Sequence, residues 1–330
     1  MSIPLVGPDA PSLVRTPDEC FANLPGFPFE PHYHLIPAVG FDEPLRMHYI
    51  DEGPAGAPVV LMVHGEPTWS YLYRKLVPVL VDAGFRTVVP DLVGFGRSDK
   101  PTFAPVYTFD GHIDWLRSLV CALDLQDVTL VCQDWGGPIG LGVLARETER
   151  FAGVVAANTI LHTAEPELAG RLEWAVHASG ANVSTVSAFL LDWMRHSQRS
   201  VEFDAGQIVA GTTVRVMPDD VAAAYAAPFP SEWHKAGMRQ FPLLIPVTES
   251  DTGAAINRAT WDALAGFEKP FLTLFGDSDP PTRGWDAVFQ ERVPGARGQP
   301  HRTLEGAGHF WQEDCGEAAA RLIVSWLEGL

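Results

Sequence analysis

The stretch from Val128 to Leu144, VTLVCQDWGGPIGLGVL, constrains the fold more than any other part of the chain. Val128 to Cys132 is an uninterrupted apolar run, short enough to be a strand buried on both faces. From Gly136 onward, small and apolar residues recur at helical spacing, which suits a helix packed closely against that strand. Between the two the chain must turn sharply. A strand, a tight turn and a helix, with small residues on either side of the tip, present one reactive side chain at the turn. The small flanks here are Cys132 and Gly136, and the residue at the tip is Asp134.

The rest of the chain supplies the scaffold such a turn needs. Val59 to Val63 is an apolar strand that runs into His64-Gly65-Glu66-Pro67, and a helical pattern from Tyr71 to Val81 closes at Gly84. Thr87 to Pro90 is a short strand ending in the loop Asp91 to Ser98. Phe109 to Leu123 reads as an amphipathic helix, and Val154 to Ala157 as a further strand. This alternation predicts an α/β architecture: the α/β-hydrolase fold, a mostly parallel eight-stranded sheet flanked by helices. From about Thr159 to Gln240 the pattern changes to Ala- and Ser-rich helical segments, such as Glu173 to Ala178 and Ser187 to Met194. We expect a helical cap over residues 159–240, inserted between a first core part (1–158) and a second (241–330). In that second part, Trp261 to Ala265 and Arg283 to Gln290 are helical, Pro270 to Phe275 is a strand, Thr303-Leu304 is a strand end, and Ala318 to Leu327 is the closing helix. Residues 1–34, rich in Pro and aromatics, suggest an extended arm lying on the core.

Length and composition agree. A chain of 330 residues can bury one large core and still carry an insertion. With 46% hydrophobic and 19% charged residues it reads as a globular, soluble protein. A net charge of −18 excludes nucleic acid and anionic membranes as expected partners, because phosphate binding needs clustered Lys and Arg. Cys20, Cys121, Cys132 and Cys315 show neither CxxC spacing nor a paired framework, and Cys132 suits a packed thiol. No basic segment followed by an apolar stretch opens the chain, and no apolar run reaches the ~20 residues that span a bilayer. A reducing cytoplasm and a monomer are the expectations.

The candidate partners of Asp134 fall in the order this fold uses: nucleophile, then acid, then histidine. Gly276-Asp277-Ser278-Asp279-Pro280 follows one late strand and Gly306-Ala307-Gly308-His309-Phe310 follows the last. Loops at the C-terminal ends of parallel strands converge. Asp279 is preferred to Asp277 as the acid because it lies further into its loop. An aspartate at the tip changes the reaction class, since a carboxylate is already ionised near neutral pH and can attack a saturated carbon directly. The product of that attack is an alkyl ester of the enzyme. His309 then takes a proton from the water that attacks the ester, with Asp279 orienting the imidazole. Backbone N–H groups of Glu66 and Trp135 are the expected oxyanion hole. The bland readings are a helix N-cap for Asp134, a surface carboxylate for Glu66, and structural roles for His64 and Arg97.

Three strings together, His64-Gly65-Glu66-Pro67-Thr68-Trp69-Ser70-Tyr71-Leu72-Tyr73-Arg74-Lys75, Cys132-Gln133-Asp134-Trp135-Gly136-Gly137 and Ala307-Gly308-His309-Phe310, resemble the haloalkane dehalogenases. The resemblance is to the subgroup typified by the 1,2-dichloroethane-converting enzyme. Arg15-Thr16-Pro17-Asp18 and Ala224-Tyr225-Ala226-Ala227-Pro228-Phe229-Pro230 extend it over most of the chain. It implies an Asp–His–Asp triad and two halide-holding tryptophans, with no cofactor and no metal. The first tryptophan follows the nucleophile and is Trp135. The second lies in the cap, where counting back from Ala224-Tyr225 points to Trp193, with Trp174 as the other candidate. Indole suits the task because it donates a hydrogen bond and is otherwise apolar. The implied substrates are a small halogenated aliphatic compound and water, and a halide ion is released. The runner-up is an epoxide hydrolase, which would need cap tyrosines to protonate the ring oxygen; Tyr225 is the only tyrosine between residues 159 and 240. A non-catalytic ligand-binding protein of the same fold would normally have lost a triad member, and none is missing.

Overall fold

The computed structural model describes residues 11–37, 40–164 and 184–330. Strands β4 (Val59–Val63) and β7 (Val128–Gln133) are buried at every position. Such strands can only sit in the middle of a sheet covered on both faces. They do so, as neighbours, in an eight-stranded sheet. Running outward from β7 come β8 (Phe151–Ala157), β9 (Phe271–Gly276) and β10 (Arg302–Leu304), all parallel. On the other side β5 (Arg86–Pro90) is parallel to β4, whereas β3 (Leu45–Glu52) and β2 (His32–Ile36) close that edge antiparallel. Helices Leu76–Asp82 and Trp311–Leu327 pack on each other, and Phe109–Ala122, Gly136–Arg146 and Thr252–Leu264 form a second group. These two groups are the flanking layers of an α/β-hydrolase fold.

Two local expectations give way to physics the pattern concealed. The helix expected over Tyr71–Val81 is split into a short 3-10 turn, Ser70–Tyr73, and a helix that begins at Leu76. Pro78 has no N–H to offer the Arg74 carbonyl, so a continuous ladder cannot run through this point. The N-terminal arm is extended as expected at Leu13–Val14 (β1), which pairs with Lys100–Pro101 (β6). Its far end, His32–Ile36, is instead the outermost sheet strand. The sequence HYHLI shows little apolar alternation because only Ile36 is fully buried there.

Between β8 and β9 the described residues contribute no strand. They carry helices Ser184–Arg199, Ala205–Ala210, Asp219–Ala226 and Ala236–Gln240. The helix expected over Glu173–Ala178 lies outside the described residues. Among those described, no helix is long and apolar enough to cross a membrane.

Candidate active site

The site collects at the C-terminal ends of five parallel strands: Glu66 beyond β4, Asp134 beyond β7, Asn158 beyond β8, Asp279 beyond β9 and His309 beyond β10. Asp134 occupies the tip of the turn with φ of 51°, a left-handed conformation costly for a residue with a Cβ. The turn closes because its neighbours are small: a Cβ on Gly136 would lie 2.0 Å from the Val63 carbonyl oxygen. Facing it, a Cβ on Gly65 would lie 2.1 Å from Asp134 Oδ1. Both positions therefore exclude any side chain. The close approach lets the Glu66 N–H donate to Asp134 Oδ1 at 2.7 Å.

The other carboxylate oxygen, Asp134 Oδ2, lies 3.4 Å from His309 Nε2. His309 Nδ1 lies 3.0 Å from Asp279 Oδ1, and Asp279 is 1% exposed. The Thr282 hydroxyl donates to the second oxygen of Asp279. Burial works against a charge on His309, but the Asp279 carboxylate and the hydrogen bonds to Asp134 and Asp279 outweigh it, raising the imidazole to about 10. Asp277, the rival acid, points elsewhere. Its exposed carboxylate accepts the Gly306 N–H at 3.0 Å and shapes the loop leading to His309.

Above these groups lies an apolar cavity of about 870 Å³, counting its open mouth. Glu66, Asp134, Trp135, His309 and Trp193 all line it, along with Phe109, Ile160, Leu190 and Ile208. Among the described residues no lysine or arginine lines it to clamp a substrate carboxylate. Trp135 is 6% exposed and held edge-on between Phe109 and Phe241, with ring centroids 5.4 and 5.2 Å away.

Residues 58–195 match the family model for the alpha/beta hydrolase fold. The chain is 45% identical over 315 residues to a haloalkane dehalogenase of Psychrobacter cryohalolentis, covering 96% of this chain and 98% of the relative. It is 46% identical to one from Mycobacterium marinum, covering 95% and 99%. A tetrameric haloalkane dehalogenase from Paraglaciecola agarilytica superposes with a TM-score of 0.80 at 35% identity, covering 94% of this chain and 97% of that one. The chain belongs to the haloalkane dehalogenases. It is a hydrolase acting on carbon–halide bonds.

In this dehalogenase the cap reaches the core through Trp193, which lines the cavity together with Glu66. Its ring packs on His196 and Phe203, with centroids 5.7 and 5.6 Å away. Trp174 lies outside the described residues. Glu66 is no surface carboxylate: the residue is 4% exposed. Burial and the nearby Asp134 push its carboxyl well above the ordinary carboxylate range, opposed by His309. His64 is structural, with Nδ1 against the Gly65 carbonyl at 2.8 Å and Nε2 accepting the Leu92 N–H at 2.9 Å. Arg97 stacks its guanidinium 4.3 Å from the Phe21 ring, on the arm.

Several supporting residues escaped the sequence reading. Asn158 donates to the Gly308 carbonyl at 2.8 Å and the His309 carbonyl at 3.1 Å, and accepts the Gly276 N–H at 2.7 Å. One amide thus ties the acid-bearing loop to the histidine-bearing loop. The Asp134 N–H donates to the Asn158 carbonyl at 2.9 Å, so the same residue also fixes the turn. Its position directly after a buried strand was the signal that could have found it. Asp314 accepts the Gly308 N–H at 2.8 Å and the Arg215 N–H at 2.7 Å, joining the histidine loop to the cap. Nothing in its helical setting distinguishes Asp314 from an ordinary N-terminal acid.

Proposed function

We propose that Asp134 displaces halide from a small haloalkane by direct attack on the carbon, and that His309 activates the water that hydrolyses the resulting ester. The observation carrying this reading is one apolar cavity lined by a carboxylate, a paired imidazole and two indoles. Glu66 N–H already holds Asp134 Oδ1, which leaves Oδ2 as the attacking atom. Oδ1 becomes the oxyanion when water adds, stabilised by the backbone N–H groups of Glu66 and Trp135, a term of roughly 3 kcal/mol per donor. Halide leaves between the indoles of Trp135 and Trp193, where an unsolvated anion would otherwise be costly. The products are a primary alcohol, halide and a proton.

Charge coupling orders the two steps. While Asp134 is an anion it helps hold His309 protonated. Esterification removes that anion, so the imidazole is released toward its neutral form just when a base is needed. Asp279 then stabilises the imidazolium formed on water attack. We take residues 159–240 as the cap, on the ground that its described helices supply Trp193 and join no strand. An epoxide hydrolase is disfavoured: the Tyr225 hydroxyl is engaged with Glu313 at 2.5 Å and Tyr225 does not line the cavity. A binding protein without turnover is disfavoured by the intact triad. We also read the chain as a monomer, in contrast to the tetrameric Paraglaciecola relative; sedimentation as a tetramer would overturn this.

The deciding experiment is incubation with 1,2-dibromoethane and, separately, styrene oxide. Bromide and acid from the first and no diol from the second are expected. In His309→Gln, bromide should appear once per enzyme and the protein mass should rise by the trapped bromoethyl group. Sustained bromide release from that variant contradicts the role given to His309.

A further inference from the structure

Asp314 binds more of the molecule than the helix it opens requires. It lies in the first turn of the helix Trp311–Leu327, shortly after His309, and that helix kinks at the next residue, Cys315. An acid in a first turn commonly serves its own helix end, and Asp314 does accept the Gly308 N–H at 2.8 Å. The same carboxylate, 1% exposed, also accepts the Val214 N–H at 3.0 Å and the Arg215 N–H at 2.7 Å, about a hundred positions away in the chain. Closing a helix end needs neither of these. The histidine loop meets this cap segment a second time, where the His309 N–H donates to the Thr212 carbonyl at 3.0 Å. A Cβ on Gly308 would lie 2.4 Å from that carbonyl oxygen, so the two segments touch backbone to backbone. Thr212 itself lines the cavity.

We propose that Asp314 is a positioning residue for the hydrolytic step: together with the Thr212 carbonyl it clamps the backbone at His309 to cap residues 212–215, and so fixes where the imidazole stands when water attacks the ester. This rests on the role given to His309 above. Three N–H donors converge on one buried carboxylate, and hydrogen bonds to an ionised acceptor are the strong ones. From the core, Asp279 holds the His309 ring and Asn158 its carbonyl. From the cap, Asp314 and Thr212 hold the two successive amides of Gly308 and His309. The imidazole is thus located from both sides of the cavity. Asp134 is held instead by Glu66, Asn158 and Thr159. Ester formation depends on Asp134 and ester hydrolysis on His309, so the clamp acts on the second step.

The test separates the two steps by rapid quench, with the whole enzyme in excess over 1,2-dibromoethane and the alkyl-enzyme followed by mass. Asp314→Asn keeps the size of the side chain but replaces one acceptor oxygen with an NH2 group. Both oxygens of Asp314 accept backbone N–H groups, so either orientation of the amide sets donor against donor. Ester decay should slow by at least about ten-fold, because a misplacement of about 1 Å can cost a catalytic step as much as ~100-fold. Ester formation should stay within about two-fold of the wild type, since the supports of Asp134 are untouched. Gly308→Ala, which must part the loop from the Thr212 carbonyl, should give the same split, and it carries the test if Asp314→Asn does not fold. Ester that decays at the wild-type rate, or formation and decay that slow together, overturns the proposal. His309→Gln keeps the two readings apart. If it traps the ester while Asp314→Asn hydrolyses it normally, the clamp is wrong and the role of His309 stands. If His309→Gln does not trap the ester, that role fails, and the inference fails with it.

Discussion

The two walls of the cavity are built on different principles. The core wall is the turn at Asp134 and the helix Gly136–Arg146, whose residues Gly136 through Leu144 are all buried. Each group there is fixed by several neighbours: Asp134 by Glu66, Asn158 and Thr159, and His309 by Asp279 and the loop bonds of Asn158. The cap wall is the helix Ser184–Arg199, which is mostly half-buried or exposed from Leu190 onward. Its C-terminal end is tied to Arg239, which donates to the Ser197 carbonyl at 2.7 Å and is itself part of the cap stretch. The later cap is different again. Trp69 donates to the Ala224 carbonyl at 3.2 Å, Thr16 to the Pro228 carbonyl at 2.6 Å, and Tyr225 to Glu313, which also pairs with Arg74 and Lys75. Asp134 is therefore fixed from several sides, the far end of the cap is stapled to the core, and the helix bearing Trp193 is the less buried of the two walls. Attack on carbon demands fixed geometry. In the reaction proposed above the halide must also enter and leave, and Trp193 would meet it from the less buried wall.

The sharpest way to break this comparison is to truncate the two tryptophans in parallel. Trp135→Ala empties a caged, buried position and should cost about 3–5 kcal/mol of stability. Trp193→Ala should cost less than about 2 kcal/mol, because its ring is only partly buried. Denaturant unfolding measures both, and equal losses would mean the two walls are equally rigid. A smaller effect should come from Tyr225→Phe. It removes one hydrogen bond to an ionised, buried Glu313 and should lower stability by about 1–2 kcal/mol without changing bromide release. A comparable fall in bromide release would show that the stapled end of the cap is coupled to the chemistry.

How much of this could be read in the residues follows the same division. The core wall was legible because it obeys local rules. A double-faced apolar strand, then Asp134, then glycines where no Cβ fits, allows little else, and Glu66, Asp279 and His309 each follow a strand. Asn158 obeys that rule as well, but its place after Val154–Ala157 marks it only as a residue near the site and does not say which loops its amide ties together. Pro78 shows how one missing N–H overrides a good helical pattern. The cap wall was legible only through resemblance. Composition and periodicity treat Trp193 as one aromatic on an amphipathic helix, and no local pattern links it to Glu66, with which it lines the cavity.

The least disruptive probe of the comparison is pH, read as the difference between wild type and His309→Gln, because other buried groups such as Lys100, lowered to about 7 by burial, share the window. Folding raises the His309 imidazole from its ordinary value near 6.5 to about 10. A group whose folded pKa is raised binds its proton more tightly in the native state, so its stabilising contribution is complete below the unfolded value. That contribution is lost as pH climbs through the folded one. The melting temperature of the wild type should therefore fall relative to that of His309→Gln, which has no proton to lose, between about pH 6.5 and pH 10. Alkylation of Asp134 should flatten the wild-type curve too, because the ester removes one of the two carboxylates that hold the proton. If wild type and His309→Gln lose stability in parallel over that range, the charge coupling that orders attack before hydrolysis is absent.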